Sequence, residues 1–163
     1  LVIGYNQVFN LPHTIIRPSA LYGERCVSRR VGQAFIENAL VGEDLTVNGD
    51  GKEGLDFTYI NDLVQGIILS ITKSDSINQI FNITFGAARS INQLAEIVME
   101  KFPGIKLHHK KRDGLMPERG TLSIVKAQKL LGYNPQHPVE KGFVQYIDWY
   151  KNFAESNPQF FKK

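Results

Sequence analysis

Cysteine is almost absent from this sequence: among its 163 residues there is one, Cys26. A single cysteine excludes an internal disulfide and a cysteine-rich metal site. It is also typical of a reducing compartment, so we expect a cytoplasmic location. Apolar runs that approach the ~20 residues needed to cross a bilayer are absent too, so no membrane association is expected. No basic segment precedes the apolar residues 1–5, which argues against a signal peptide.

Charge of one sign is not concentrated in this chain either. The formal net charge is +3 and the isoelectric point is near 9.0. Such a mild excess suits an anionic small molecule as well as a nucleic acid. Nucleic-acid binding also requires aromatic side chains among the basic ones, whereas Phe and Tyr recur here mainly at core spacing, so no nucleic acid is expected. Hydrophobic residues make up 42% of the chain, enough for one globular domain with a core.

Apolar periodicity alternates between short buried strands and amphipathic helices, which predicts an α/β fold. Strands are predicted at 13–17, 45–47, 55–60, 80–85 and 106–110. Helices are predicted at 1–10, 31–40, 124–131 and 139–153, and two more are predicted to begin at Asn61 or Asp62 and at Ser90. Gln93 completes a capping box with Ser90, and Asn61 or Asp62 is expected to cap its own helix. Gly132 is expected to stop the short helix, and the chain after Pro158 to fray.

A glycine pattern between the second and third strands has two interpretations. Gly49, Gly51 and Gly54 match the spacing of the Gly-x-Gly-x-x-Gly dinucleotide fingerprint. That fingerprint requires a helix directly after the glycines, whereas residues 55–60 alternate like a strand. We therefore predict a hairpin turn at these glycines.

Three motifs, in this order, resemble those of the extended short-chain dehydrogenases/reductases that act on nucleotide sugars. They are Thr-Ile-Ile-Arg-Pro-Ser-Ala-Leu-Tyr-Gly at 14–23, Asn-Gly-Asp-Gly at 48–51 with Asp-Phe-Thr-Tyr-Ile-Asn-Asp at 56–62, and Lys-Ala, Leu-Leu-Gly-Tyr and Pro between 126 and 135. The resemblance covers nearly the whole chain. It implies the substrate-binding half of such an enzyme, with the last strands of an incomplete Rossmann sheet. Residues 1–163 would form one carboxy-terminal region, with 1–23 and 80–85 at the edge of the missing dinucleotide-binding domain.

The resemblance also implies which catalytic parts are missing. Family members begin with a glycine-rich nucleotide-binding turn and carry a catalytic Tyr-x-x-x-Lys helix, and Leu1 would fall a few residues beyond that lysine. None of the six tyrosines here has a lysine four residues later. No catalytic residue is therefore assigned, and the chain alone is expected to be inactive. The intact protein would be an NAD- or NADP-dependent epimerase or dehydratase; a non-catalytic binding or interaction domain from a truncated gene remains the alternative.

The same resemblance implies which residues contact cofactor and substrate. Pro18 and Ser19, at the end of a predicted strand, would lie beside the nicotinamide ring. Val47 and Asn48 would line the nucleobase pocket, although the residues themselves favour a core valine and a turn asparagine. Ala20 stands where many relatives have an asparagine that touches the sugar, so the identity of the sugar cannot be carried over.

Arginines are the candidate phosphate ligands. Relatives commonly have an arginine where this chain has Leu55, and Arg119 is the best compensator by position; a surface arginine beside Glu118 is the alternative. Arg25 and Arg29 are further candidates, because with Arg30 they form a cluster that suits a nucleoside diphosphate or, alternatively, a solvated basic face.

Two further patterns bear on metals and on assembly. His108 and His109 are adjacent on a predicted strand and point to opposite faces, so no metal site is expected. The strands at 14–16 and 80–83 have the composition of inner strands of a larger parallel sheet, and their neighbouring strands are missing. The unpaired backbone edges predict self-association into a homo-oligomer.

Overall fold

The computed structural model describes residues 1–112, 114 and 119–161. The helices in these residues are α1 Val2–Phe9, α2 Val31–Leu40, α3 Ile60–Thr72, α4 Ile91–Lys101, α5 Val125–Leu131 and α6 Val139–Ser156. The strands are β1 Thr14–Arg17, β2 Leu21–Tyr22, β3 Leu45–Asn48, β4 Gly54–Leu55, β5 Thr58–Tyr59, β6 Gln79–Asn82, β7 Arg89–Ser90 and β8 Leu107–Lys110. Short 3-10 turns lie at Ser74–Ser76 and Pro158–Phe160.

The strands pair two by two. β1 pairs with β6, β2 with β5 and β3 with β8, all in parallel, whereas β4 and β7 are antiparallel. Parallel strands need long crossover connections, and helices supply most of them here. The predicted α/β class is therefore confirmed.

The larger core lies between α2, α4 and α6. Leu94, Ala95 and Val98 recur at helical spacing on α4 and are fully buried. On α6, Phe143 and Ile147 pack into the same cluster. This core is the rigid support from which β3 and β4 extend.

A smaller core lies beneath α3, α5 and β6. It contains Leu63, Phe81, Ile83, Leu131 and the fully buried ring of Tyr133, together with Ala127. β1 and β6 therefore have helices on part of their surface, and no third strand flanks them in the described residues. Whether this pair belongs to the edge of a dinucleotide-binding domain stays a prediction.

Two of the predicted local signals at helix ends are confirmed. The Ser90 side chain accepts from the Gln93 amide, and the Gln93 side chain accepts from the Ser90 amide, as a capping box requires. Gly132 ends α5 in the left-handed conformation, with φ 71°. The two interactions fix where α4 begins and where α5 ends.

The predicted hairpin is wrong. Gly49 and Gly51 do adopt positive φ values, 90° and 70°, so the chain turns there. The strands on either side do not pair with each other, because β3 pairs with β8 and β4 with β7. The predicted strand 55–60 is also two short strands. No helix follows Gly54, so the pattern does not form a dinucleotide-binding turn either.

Asp62 does not cap α3. The helix begins at Ile60 with Tyr59 in the capping position, and no side chain caps it. The Asp62 carboxylate is buried and accepts hydrogen bonds from the backbone amides of Gln136 and His137, and it also bonds His137 Nδ1 at 2.8 Å. Asp62 thus ties the start of α3 to the segment before α6.

Several apolar side chains face solvent, contrary to the simplest interpretation of the helix patterns. On α2, Ala34 and Leu40 are half-buried, and Ile36 and Ala39 are buried instead. Apolar side chains are exposed on each of two helices: Val2, Ile3, Tyr5, Val8 and Phe9 on α1, and Val64, Ile67, Ile68 and Ile71 on α3. No described helix is long and apolar enough to cross a bilayer. The residues after Pro158 do not simply fray, because Phe161 packs against the larger core.

Candidate functional site

An open pocket of about 260 Å³ lies where β3 and β4 meet the starts of α2 and α4. Its walls are apolar and are formed by Val31, Val47, Leu55 and Ile91. The polar groups that line it belong to Arg30, Thr46, Asn48, Glu53 and Arg119. Apolar walls with a few convergent polar groups are the usual composition of a small-molecule site.

Val47 and Asn48 reach this pocket from the carboxyl end of β3. Val47 is buried and Asn48 is exposed at the end of β3. The Gly49 amide donates to the Lys110 carbonyl (2.7 Å), and its positive φ then turns the chain away from β8. Asn48 therefore stands at the carboxyl end of a parallel strand, the edge at which open α/β sheets bind ligands. Val47 belongs to the core and lines the pocket, so its two interpretations are compatible.

A carboxylate lies between two arginines at the pocket. Glu53 Oε1 is 3.9 Å from Arg119 Nε, and Glu53 Oε2 is 3.9 Å from Arg112 Nη2. Both distances exceed those of charge-assisted hydrogen bonds, so the attraction is mainly coulombic. The sequence alone did not single out Glu53.

The segment that carries Arg119 is anchored by a buried aspartate. The Asp56 carboxylate is inaccessible to solvent and accepts from Thr84 Oγ1, the Gly86 amide and the Leu122 amide, at 2.9, 3.0 and 3.1 Å. The Thr121 hydroxyl adds a bond from the Ala88 amide. These contacts position Arg119 at the pocket although residues 119–124 form no helix or strand. An acidic residue inside an apolar run, such as Asp56 within 55–60, was the available signal for this role.

The predicted arginine cluster is divided. Arg30 lines the pocket, whereas Arg25 lies along the loop at 21–28 with a positive φ of 63°. Arg29 turns the other way and pairs with Glu37 at 3.1 Å. The roles of Arg25 and Arg29 in substrate binding stay predictions, and the structure does not bring either to this pocket.

The predicted nicotinamide contacts lie at another edge. Pro18 is exposed and Ser19 is half-buried, directly after the carboxyl end of β1. Neither lines the pocket described above. Ala20 follows with φ 36° and packs against the larger core. Pro18 and Ser19 therefore stay predicted cofactor contacts.

The other titratable residues of the sequence have ordinary partners. His108 bonds Asp44 and His109 bonds Asn92, on opposite faces of β8. Groups of three or more metal-ligating side chains are absent from the described residues. Cys26 contacts the Ser28 hydroxyl at 3.2 Å.

A larger cavity, about 450 Å³, lies between α2 and the end of α6, but three of its polar side chains, Arg29, Glu37 and Tyr150, are already bonded to one another. The Glu37 carboxylate accepts from Arg29, Gln33 and the Tyr150 hydroxyl. A ligand there would have to replace these bonds. The smaller pocket is therefore the better candidate site.

Comparison with known proteins identifies the family. A sequence model described as the NAD dependent epimerase/dehydratase family matches residues 1–84, more than half of the chain. The chain belongs to the NAD-dependent epimerase/dehydratase family. The resemblance inferred from its three motifs is thereby confirmed.

Individual epimerase/dehydratase relatives are about twice as long as this chain. It is 30% identical over 155 residues to a putative UDP-glucose 4-epimerase of Methanocaldococcus jannaschii, covering 91% of this chain and 48% of that protein. It superposes with a TM-score of 0.86 on a UDP-glucose 4-epimerase of Thermotoga maritima solved with UDP-glucose, at 25% identity over 94% of this chain and 50% of that one. An epimerase of Methanothermobacter thermautotrophicus shares the fold, with a TM-score of 0.89 and 24% identity over 95% of this chain and 48% of that one. The chain thus spans about half the length of these relatives.

Proposed function

We propose that this chain is the nucleotide-sugar-binding part of an NAD(P)-dependent epimerase or dehydratase and that it is catalytically inactive by itself. The observation that carries the proposal is the pocket in which Asn48 and Val47 face the arginines Arg30 and Arg119 across apolar walls. Apolar walls suit a nucleobase, and guanidinium groups suit a diphosphate because each offers paired N–H donors. Two similar proteins support this class of ligand. One is named UDP-glucuronate 4-epimerase, and the other is the UDP-glucose 4-epimerase of Thermotoga maritima, which was solved with UDP-glucose.

A complete dinucleotide site is not formed by the described residues. The glycines at 49–54 lead into β4 rather than a helix, so they cannot hold a pyrophosphate at a helix amino terminus. Pro18 and Ser19 would contact only the nicotinamide end of a cofactor. We therefore expect NAD(P) to require further residues, and this chain to contribute orientation of the substrate.

Replacing Arg119 with alanine is expected to weaken binding of UDP by about 1.5 kcal/mol, or about tenfold in Kd. The lower end of the range for a charge-assisted bond applies because the Arg119 side chain is 51% exposed. Isothermal titration of UDP into the 163-residue chain measures the effect.

Lys111→Ala is the matched control for that substitution. Lys111 is exposed, directly follows the carboxyl end of β8 and does not line the pocket. We expect its Kd for UDP to stay within about twofold of the original. Equal losses from the two variants would mean that only general basicity attracts UDP, and the pocket would not be the phosphate site.

The exposed apolar side chains of α1 and α3 support the proposal that the chain pairs with a second copy. Phe9 is 62% exposed and Ile71 78%, and the two-stranded β1–β6 pair has unflanked edges in the described residues. Exposed apolar helix surfaces and open strand edges both promote association. We expect sedimentation at micromolar concentration to show a dimer, and Phe9→Glu or Ile71→Glu to raise the dissociation constant about tenfold or more.

Val27→Glu controls for the added charge in this experiment. Val27 is 95% exposed in the loop before α2 and lies outside α1 and α3. Dimerisation should be unchanged by it. If the original chain sediments as a monomer and unfolds cooperatively, its exposed apolar side chains are stable in contact with solvent. That result would refute self-association.

A further inference from the structure

Glu53 is the one carboxylate among the described residues that line the candidate pocket. Its side chain is 17% exposed, so it is largely removed from water. Its backbone is fixed, since its carbonyl accepts from the Ile91 amide and the next residue, Gly54, pairs with Ser90 across β4 and β7. The main chain therefore holds the Glu53 Cα at the pocket, and the side chain lies between Arg112 and Arg119.

Arg119 is held near Glu53 without a hydrogen bond. The Nε–Oε1 distance of 3.9 Å lies beyond hydrogen-bond length, and Arg119 makes no hydrogen bond to another described residue. The guanidinium N–H donors thus keep their capacity for a better acceptor. A phosphate that takes two of them breaks only a coulombic contact.

The same geometry opposes ligands that carry more negative charge. A phosphate drawn to Arg119 comes close to the Glu53 carboxylate, which Arg119 and Arg112 partly neutralise. A diphosphate esterified at both ends carries a total charge of about −2. In a free nucleoside diphosphate, the terminal phosphate alone carries a charge of about −1.5 to −2. Repulsion by Glu53 is therefore larger for a free nucleoside diphosphate than for its sugar ester.

We propose that Glu53 is a specificity-determining residue that competes with the ligand's phosphates for Arg119 and so favours a nucleoside diphosphate sugar over the free nucleoside diphosphate. This inference rests on the proposed function of the pocket. It adds a consequence for the intact protein: the carboxylate disfavours occupation of the site by a free nucleoside diphosphate that competes with the substrate. Leu55, which is apolar and stands beside the same site, adds no positive charge to offset the effect.

The test compares UDP and UDP-glucose as probes with Glu53→Gln, which keeps the side-chain shape and removes the charge. We expect Glu53→Gln to bind UDP about fivefold more tightly, which corresponds to ~1 kcal/mol, and UDP-glucose less than about twofold more tightly. The preference for UDP-glucose over UDP should fall accordingly. Glu53→Ala is the second variant, and the same loss of preference is expected from it.

Two controls separate this effect from simpler ones. Glu96→Gln removes an equal charge from an exposed position on α4 outside the pocket and should change neither affinity. In an Arg119→Ala background, Glu53→Gln should lose most of its effect on UDP, because the two residues act through one contact. Thermal unfolding of each variant checks that the fold is retained.

The outcomes distinguish the inference from the function on which it rests. Weaker binding of UDP by Glu53→Gln, or equal gains for both ligands, would overturn the inference, because Glu53 would then only position the arginines or contribute general charge. Arg119→Ala would still weaken binding in that case, and the proposed function would stand. Absence of binding of both ligands by the original chain and by Glu53→Gln would overturn the proposed function, and the inference with it.

Discussion

Replacing Asp56 with alanine is expected to lower the free energy of unfolding by about 3–5 kcal/mol. The carboxylate is inaccessible to solvent and accepts three hydrogen bonds, from Thr84 Oγ1 and from the Gly86 and Leu122 amides. Alanine leaves all three donors without an acceptor in the interior, and each unsatisfied donor costs about 1–3 kcal/mol. Urea denaturation, followed by circular dichroism, measures the change in midpoint at constant slope.

The control for this substitution is Asp75→Ala. Asp75 is exposed in a 3-10 turn, and its removal should change the stability by less than about 0.5 kcal/mol. Asp56→Asn should fall between the two, because its amide retains one acceptor oxygen but presents N–H groups to other donors. A loss below about 1 kcal/mol for Asp56→Ala would mean that water replaces the carboxylate, and Asp56 would not be the anchor of the Arg119 segment.

Local signals in the sequence predicted helices better than strand partners. The Ser90–Gln93 capping box and the Gly132 stop depend on residues within a few positions of each other, so the sequence pattern contains the whole interaction. The partner of β3 is β8, about sixty residues later, with Leu45 opposite Leu107. The positive φ of Gly49 and Gly51 was predicted correctly, but a turn alone does not determine which strand pairs with which.

The two buried aspartates show the same limit at the site. Asp62 at a helix start has the pattern of a cap, yet its carboxylate bonds Gln136 and His137, which are more than seventy residues away in sequence. Asp56 lies inside an apolar run and anchors a loop that no periodicity predicts. An acidic residue inside an apolar run can mark a buried acceptor, but its donors depend on tertiary packing and are not predicted by the pattern.

The arginine candidates came from two arguments: resemblance for Arg119, and clustering in the sequence for Arg25, Arg29 and Arg30. Arg119 was predicted from its position relative to family motifs, and it lines the pocket. Arg30 does so as well, whereas the neighbouring Arg29, with φ 42°, is paired with Glu37 on α2. Adjacent residues in a loop point in different directions, so a cluster in the sequence does not show which member faces the ligand.

Five of the six tyrosines of this chain are poorly suited to act as a catalytic base. Burial raises the pKa of Tyr150 to about 12, and it raises the pKa of Tyr22, Tyr59, Tyr133 and Tyr146 further above the usual range of a phenol. Three of these hydroxyls act as donors, to Glu24, to the Thr84 carbonyl and to Glu37. A general base at neutral pH needs a pKa near the operating pH, so the shifts are in the wrong direction. None of these tyrosines lines the candidate pocket.

We therefore expect the 163-residue chain to show no epimerase, dehydratase or reductase turnover with any nucleotide sugar. None of its tyrosines has a lysine four residues later, and the described residues that line the pocket contribute no tyrosine, histidine or lysine to move a proton. Binding and orientation without proton transfer do not complete the chemistry. The measurement incubates the purified chain with UDP-glucose and NAD, and separately NADP, and separates the products by chromatography; a full-length epimerase is the positive control. A preparation of Arg119→Ala made in parallel detects host enzyme, because contaminating turnover would be the same in both samples. Product formed by the original chain and lost in Arg119→Ala would show that this chain catalyses on its own, and a proton-transfer group would then have to be sought outside the Tyr-x-x-x-Lys pattern.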